Sequence, residues 1–163
     1  MDIAGRPMSQ GSGVVVGPGV IVTNCHVTKG SHDITVKVGR EEFRATALSA
    51  DEEHDLCRLS VAGLAAPAVS LVPVAQLKTG QRVFAIGAPQ GFELTISEGI
   101  VSSLRPVADG TVIQTTAPIS SGSSGGGLFD TSGRLVGIVT FQHKYGQNLN
   151  FALPADWIDR DVK

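Results

Sequence analysis

Short runs of β-branched and other apolar residues recur along the chain about every 10 residues, and they constrain the fold more than any other feature. Glycine and proline separate these runs, of which Val20–Thr23, Ile34–Val38 and Leu135–Thr140 are examples. No long segment follows the helical period of about 3.6 residues, and only the end of the chain predicts a short helix, at about residues 154–160. The pattern therefore predicts an all-β protein, either a barrel or a sandwich.

A stretch with weaker strand signals divides the runs into two sets. It contains Gly63, Pro67 and Pro73, and it is typical of a crossover between two parts of one domain. The expected boundaries are about 9–62 for the first set of strands, about 63–79 for the crossover, about 80–153 for the second set, and 1–163 for the domain as a whole.

Size and charge exclude several classes of protein. The 163 residues are 42% hydrophobic and 17% charged, which is enough for one domain with a buried core. The net charge of −2 gives no basic surface, so nucleic acid is not an expected partner. No apolar stretch approaches the roughly 20 residues that cross a bilayer, and residues 1–7 lack the apolar centre of a signal peptide. Neither a metal ion nor an organic cofactor is expected.

The string Gly122-Ser123-Ser124-Gly125-Gly126 has the form of a loop that carries a nucleophilic serine. A serine hydroxyl attacks a carbonyl group efficiently only when a base accepts its proton and N–H groups stabilise the oxyanion. The Gly-x-Ser-Gly-Gly register makes Ser124 the candidate nucleophile and the N–H groups of Gly122 and Ser124 the candidate oxyanion hole. In isolation such a string is more often an ordinary glycine- and serine-rich loop, so a histidine and an acid are needed to support this interpretation.

Both partners are present at the ends of apolar strands. The run Val20–Thr23 leads to His26, and Asp55 leads directly into the run Leu56–Leu59. These positions make His26 the candidate general base and Asp55 the carboxylate that orients it. We expect the other histidines to be ordinary surface or core residues, namely His32, His54 and His143. The nearby acids are expected to be surface residues at a strand edge, namely Asp51, Glu52 and Glu53.

The chain order histidine, aspartate, serine is that of the chymotrypsin-type proteases. Further motifs follow in order: Gly11–Val16, Val22–Val27, Asp55–Leu56, Ile86–Phe92, Glu98–Ser102, Ile113–Ile119, Gly122–Leu128 and Asn150–Pro154. With these motifs the chain resembles the HtrA/DegP-like branch of the trypsin-like serine proteases. The resemblance implies two six-stranded antiparallel β-barrels packed face to face, with a short C-terminal helix. His26 and Asp55 would come from the first barrel and Ser124 from the second.

The resemblance also implies a function. It implies a serine endopeptidase that hydrolyses unfolded or extended polypeptides through an acyl-enzyme, without a cofactor; the sequence does not specify the oligomeric state. The alternative is a catalytically silent relative that binds peptides. Ser123 stands where the digestive enzymes have an aspartate, so their type of zymogen activation is not expected. Because glycines are abundant around Ser124, the loop is also expected to reach a collapsed, inactive shape.

The substrate pocket is expected to be apolar. Pro118 stands six residues before Ser124, where a trypsin-like enzyme has an aspartate, so a basic P1 residue would meet no opposite charge. An apolar pocket distinguishes one methylene by only about 1–3 kcal/mol, which predicts a broad preference for Val, Ala, Ile or Leu. The expected pocket residues are Pro118, Ile119, Val139, Thr140 and Phe141.

The two cysteines lie beside the candidate base and acid. Cys25 directly precedes His26, and Cys57 follows Asp55 by two residues. If His26 and Asp55 are in contact, the cysteines lie on neighbouring segments, where a disulfide between them is feasible. Two buried thiols that pack as small apolar side chains are the alternative. Together with the family resemblance, the pair favours a periplasmic or secreted location.

Overall fold

The computed structural model describes residues 9–88, 93–140 and 149–158. In these residues the regular structure consists of eleven β-strands and a few helical segments of one turn each. The expected pocket residue Phe141 and the histidine His143 lie outside the described residues. Pro89–Phe92 of one quoted motif and positions 159–160 of the expected terminal helix also lie outside them.

The first five strands form an antiparallel sheet in the order β1-β2-β5-β4-β3. β4 is 11 residues long; its first part pairs with β3 and its second with β5, and the register shifts between Ala47 and Ser49. This bulge bends the strand and curls the sheet. The described part of the first half thus has five strands, and not the expected six. The strands are β1 Val14–Gly17, β2 Val20–Thr23, β3 Ile34–Val38, β4 Glu41–Asp51 and β5 Leu56–Val61.

The last six strands form a closed antiparallel barrel in the order β10-β11-β8-β7-β6-β9. The all-β class and the six-stranded second barrel are therefore confirmed. The strands are β6 Arg82–Gly87, β7 Thr95–Val107, β8 Gly110–Thr115, β9 Gly127–Phe129, β10 Leu135–Thr140 and β11 Asn150–Pro154.

Strand β10 connects the cores of the two halves. All six of its residues are buried, as is typical of a strand covered on both faces. Val136 packs in the core of the barrel, whereas Leu135 and Ile138 belong to a cluster that includes Val22 of β2. The two halves therefore share a hydrophobic core, which fixes the end of β2 relative to the loops of the barrel.

The connection between β5 and β6 touches both halves and adds no strand to the first sheet. Leu71 forms an isolated parallel bridge with Leu135, and the Val69 N–H donates to the Val15 carbonyl at 3.0 Å. Along this path the chain leaves the first sheet after β5 and adds no sixth strand to it. The expected C-terminal helix is present as a 3₁₀ turn over Ala155–Trp157, directly after β11. None of the helices in the described part of the chain has the length and apolar character needed to cross a membrane.

Candidate active site

His26 lies in a one-turn helix that follows β2. The helix, α1, spans Cys25–Thr28, and the Val27 N–H donates to the Asn24 carbonyl at 3.1 Å. The His26 side chain is 31% exposed, so its ring reaches the surface. The buried end of β2 holds the segment to which His26 belongs. This is a suitable environment for a group that exchanges protons with a substrate.

Asp55 holds His26 through both carboxylate oxygens. Its Oδ2 lies 2.6 Å from His26 Nδ1, and its Oδ1 accepts the His26 backbone N–H at 2.9 Å. The first contact favours the tautomer with a proton on Nδ1, which leaves Nε2 available as an acceptor. The two predicted partners are thus brought together, with ring and backbone held by the same carboxylate.

The backbone of Asp55 is constrained as well. Its φ is +57°, in the left-handed region, which aspartate tolerates better than most residues. The Asp55 carbonyl accepts the Cys25 N–H at 3.2 Å and the side-chain amide of Asn24 at 3.0 Å. Asn24 is fully buried, and the sequence interpretation missed it. The signal available was a strongly polar residue between the buried strand β2 and Cys25.

Cys25 and Cys57 form a disulfide. Their Cα atoms are 4.9 Å apart, because Cys57 pairs with Thr23 in the β2–β5 register, close to the start of α1. The bond links the segment that carries His26 to the strand that follows Asp55.

Ser124 follows a 3₁₀ turn over Ser121–Ser123 and is almost completely buried. Beyond it, Gly125 has a φ of +89°, and its N–H donates to the Val139 carbonyl at 2.9 Å. A Cβ at Gly125 would lie 2.1 Å from the Ser12 carbonyl oxygen, so only glycine fits there. The glycine of the motif thus allows the loop to pack against the segment before β1.

Ser12 holds this loop at several points, although the sequence interpretation treated it only as part of a motif. Its N–H donates to the Ser124 carbonyl at 2.8 Å, and its hydroxyl donates to the Gly122 carbonyl at 3.0 Å. The same hydroxyl accepts the Ala88 N–H at 2.8 Å, and the Ser12 carbonyl accepts the Thr23 hydroxyl at 2.7 Å. One serine therefore connects β2, the end of β6 and both sides of the nucleophile loop.

The segments of His26 and Ser124 converge at Gly11. A Cβ on Gly11 would lie 2.5 Å from the side chain of Val27 and 3.0 Å from the Ser124 carbonyl oxygen. Because Val27 directly follows His26, the first sheet and the loop of the second barrel face each other across this glycine.

The backbone before Ser124 bears on the predicted oxyanion hole. The Ser123 N–H donates to the Ser120 carbonyl at 2.9 Å, as in a 3₁₀ turn. In such a turn each N–H points back toward the carbonyl three residues earlier. The loop before Ser124 therefore forms a 3₁₀ turn in which the Ser123 N–H, not one of the two predicted oxyanion donors, is hydrogen-bonded within the loop.

A cavity of about 240 Å³ lies beside this loop. Of the residues predicted to form the substrate pocket, Pro118, Ile119 and Val139 line this cavity, whereas Thr140 is buried and does not. The other lining residues, which the sequence interpretation missed as pocket residues, are Ala85, Ile86, Gly87, Thr95, Ser97, Ser120 and Ser123. They come from β6, β7 and the nucleophile loop, and none is charged. The described residues contain no group of histidine, cysteine or acidic side chains arranged to hold a metal ion.

Comparisons of the sequence with known proteins identify one family. A family model described as "Trypsin-like peptidase domain" matches residues 11–138. The chain is 36% identical to Protease Do-like 1, chloroplastic, of Arabidopsis thaliana, over 97% of this chain and 39% of that protein. It is 40% identical to a probable periplasmic serine endoprotease, DegP-like, of Hahella chejuensis, over 91% of this chain and 34% of that protein.

A solved structure is similar over most of the chain. The HtrA-type protease AlgW with a tripeptide aligns with a TM-score of 0.81 and 35% identity, covering 91% of this chain and 53% of AlgW. The chain spans about a third to two fifths of the length of the two curated relatives.

Proposed function

Because this chain belongs to the family of trypsin-like peptidase domains, we propose that it is a serine endopeptidase whose catalytic triad is Ser124, His26 and Asp55. The observation that carries the proposal is the double contact between Asp55 and His26, with Oδ2 to Nδ1 at 2.6 Å. Such a carboxylate fixes the tautomer and the direction of the imidazole, and the His26 ring is partly exposed, as a general base requires. The approach of the Ser124 loop to the His26 segment at Gly11 supports the third member.

In the proposed mechanism, Ser124 Oγ attacks the carbonyl carbon of the scissile peptide bond while His26 Nε2 accepts the hydroxyl proton. The tetrahedral intermediate breaks down to an ester on Ser124, and the imidazolium gives its proton to the amine that leaves. Water then attacks the ester with the same histidine as base, which releases the acid and restores the hydroxyl. Asp55 stabilises the imidazolium in both steps.

The oxyanion would be held by the N–H groups of Gly122 and Ser124. For this, the 3₁₀ turn at Ser121–Ser123 has to rearrange when a substrate binds, so that the two N–H groups converge. Glycine at position 122 lowers the barrier to such a change, because it has no Cβ. We therefore expect the resting enzyme to be in a low-activity form that substrate converts to the active one.

The substrate would be an unfolded or extended polypeptide with a small or medium aliphatic P1 residue. The uncharged lining of the cavity supports this preference, since a lysine or arginine side chain would find no carboxylate there.

We also propose that the protein acts in the periplasm or outside the cell. The Cys25–Cys57 disulfide supports an oxidising compartment, and the Hahella relative is named as periplasmic. The Arabidopsis relative is named as chloroplastic, so the compartment differs within the family.

A fluorophosphonate probe tests the proposed activity, because it reacts with an activated serine. We expect the wild-type protein to be labelled and to hydrolyse an extended peptide, and Ser124→Ala to do neither. Ser132→Ala is the matched control, since Ser132 is exposed in the β9–β10 turn, and it should be labelled like the wild type. If the folded wild type binds the peptide but is neither labelled nor active, the alternative of a silent peptide-binding relative is correct. The 3₁₀ turn at Ser121–Ser123 is the observation that favours this alternative.

A further inference from the structure

His54 directly precedes Asp55, and its ring is engaged on both sides. Its Nδ1 lies 2.6 Å from Asp51 Oδ2, and its backbone N–H donates to Asp51 Oδ1 at 3.2 Å. Asp51 therefore closes the turn between β4 and β5 in the same way as Asp55 holds His26, with one carboxylate on both ring and backbone. This contact therefore fixes the turn to which Asp55 belongs.

The opposite edge of the His54 ring faces the second barrel. Its Nε2 is hydrogen-bonded to Asp109 Oδ2 in the β7–β8 turn, and its ring centroid lies 4.3 Å from that of Trp157. The neighbouring Gly110 has no room for a side chain, because a Cβ there would lie 2.8 Å from Trp157 Nε1. Turns from both halves of the molecule and the C-terminal 3₁₀ turn therefore meet at one histidine.

We propose that His54, as an imidazolium, is a positioning residue that clamps the Asp55 turn to the second barrel and makes the alignment of the active site depend on pH. This inference rests on the proposed function, because the first sheet supplies Asp55 and His26 while the second barrel supplies Ser124. His54 acts through Asp55 and touches no reacting atom.

The chemistry of the ring explains why the charged form is required. An imidazolium donates from both nitrogens, whereas a neutral imidazole donates from one only. Asp51 at the end of β4 and Asp109 in the β7–β8 turn both offer carboxylate oxygens, which accept hydrogen bonds and do not donate them when ionised. Neutral His54 can therefore satisfy only one of the two carboxylates, and either the turn or the contact between the halves is weakened.

The surroundings of His54 favour the charged form. In the part of the chain that the structure describes, the charged groups facing the ring are Asp51 and Asp109, and Trp157 covers it with an uncharged ring. Burial by itself lowers the pKa of His54, but the hydrogen bonds and charges of the two carboxylates outweigh it and raise the pKa above the ordinary value. Glu52 and Glu53, in the same turn, are exposed to solvent.

The sign of the pH effect follows from the direction of this shift. Because the pKa of His54 is raised in the folded protein, the contacts of its imidazolium with Asp51 and Asp109 stabilise the fold fully below the unfolded pKa of about 6.5. This stabilisation is lost as the pH rises through the raised pKa. The value of kcat should therefore fall at high pH as His54 loses its proton.

The test uses Asp109→Asn, which removes one charge from the clamp, with Asp109→Glu as the conservative variant. Glu98→Gln is the matched control, since Glu98 lies on the exposed face of β7 in an ion pair with Arg82. We expect Asp109→Asn to lower kcat at neutral pH by about 10-fold with little change in KM, which is less than the ~100-fold cost of a 1 Å displacement. Asp109→Asn should also remove the fall in kcat at high pH. Asp109→Glu, which keeps the carboxylate, should again show this fall. Equal pH profiles for the wild type and Asp109→Asn would overturn the proposal.

A second measurement does not depend on activity. Titration of the histidine ring protons by NMR, with His54→Asn to assign the signal, should give a raised pKa in the wild type and in Glu98→Gln and a lower one in Asp109→Asn. A wild-type protein that shows this shift but hydrolyses no peptide would contradict the proposed endopeptidase function and leave the clamp itself supported. The absence of any shift between the wild type and Asp109→Asn would refute the clamp, whatever the activity.

Discussion

Asp55 bonds His26 twice, through Oδ2 to the ring Nδ1 at 2.6 Å and through Oδ1 to the backbone N–H at 2.9 Å. Because the carboxylate is fixed by two points on one residue, the ring cannot rotate without losing a charge-assisted hydrogen bond. The left-handed φ of +57° at Asp55 makes this possible, since it brings the side chain of a turn residue back over α1. The direction of the imidazole is thus determined by backbone geometry as well as by the side-chain pair.

We expect Asp55→Asn to lower kcat by about 10³–10⁴-fold while the fold stays intact. The amide oxygen can accept the His26 N–H, but the amide nitrogen then faces Nδ1 and donates to it. This places the imidazole proton on Nε2, where it blocks transfer from Ser124. Steady-state hydrolysis of a peptide measures kcat, and circular dichroism checks the fold.

The control for this substitution is Glu52→Gln, which changes an exposed acid in the same turn by the same chemistry. It should leave kcat within about twofold, because the group contacts neither His26 nor the nucleophile loop. If Asp55→Asn retained more than a tenth of the wild-type kcat, Asp55 would not be the orienting group.

The sequence was sufficient for the strands and for the candidate triad, because both depend on local patterns. An apolar strand that ends in a histidine or starts after an aspartate is visible without the fold, and so is Gly-x-Ser-Gly-Gly around Ser124. The register of β2 with β5 then brings His26 and Asp55 together. The same register accounts for the proximity of the cysteines.

The residues that hold the triad in place were not predictable in the same way. Ser12 looks like part of a glycine-rich strand start, and its four hydrogen bonds reach segments up to 112 positions away. Asp51 and His54 were expected to be ordinary surface or core residues, since nothing in the local sequence indicates that Asp109 lies on the opposite side of the ring. Such roles arise from tertiary contacts, which a single sequence does not specify.

Ser12→Ala should lower both activity and stability. The change leaves the Ala88 N–H without its acceptor and the Gly122 carbonyl without its donor; an unsatisfied group costs about 1–3 kcal/mol when fully buried and less at these half-buried positions. Because Gly122 belongs to the nucleophile loop, we expect kcat to fall by roughly 10-fold in addition to a lower urea midpoint. Ser132→Ala, in the exposed β9–β10 turn, is the control and should change neither quantity. A Ser12→Ala protein with wild-type kcat would show that Ser12 does not position the loop.

Among peptides that differ only at P1, those with Val, Ala or Leu should have a much higher kcat/KM than those with Arg or Lys. The cavity beside Ser123 has no charged lining residue, so a basic side chain would lose hydration without gaining an ion pair. Ile119→Asp introduces a carboxylate into this cavity and should raise kcat/KM for an arginine peptide relative to a valine peptide by about 10-fold.

Leu48→Asp places the same charge on an exposed position of the first sheet and should leave this ratio unchanged. A library digest that showed cleavage mainly after arginine and lysine in the wild type would contradict the proposed pocket.

Reduction of the Cys25–Cys57 disulfide should destabilise the protein and slow the reaction. The bond closes a sequence separation of 32 residues, for which the chain-entropy relation gives about 3–4 kcal/mol. In the folded protein the bond also links the segment that carries His26 to the strand that follows Asp55. We therefore expect kcat to decrease on reduction under conditions in which most molecules are still folded. Trp157 is the only tryptophan in the chain and is buried, and its fluorescence therefore reports unfolding in urea with and without a reductant.

The double variant Cys25→Ala/Cys57→Ala should unfold at the same urea concentration under both conditions, close to the midpoint of the reduced wild type. If the wild-type midpoint did not respond to reductant, and both cysteines of unreduced protein from an oxidising compartment were alkylated after denaturation, the disulfide would not exist in the native protein.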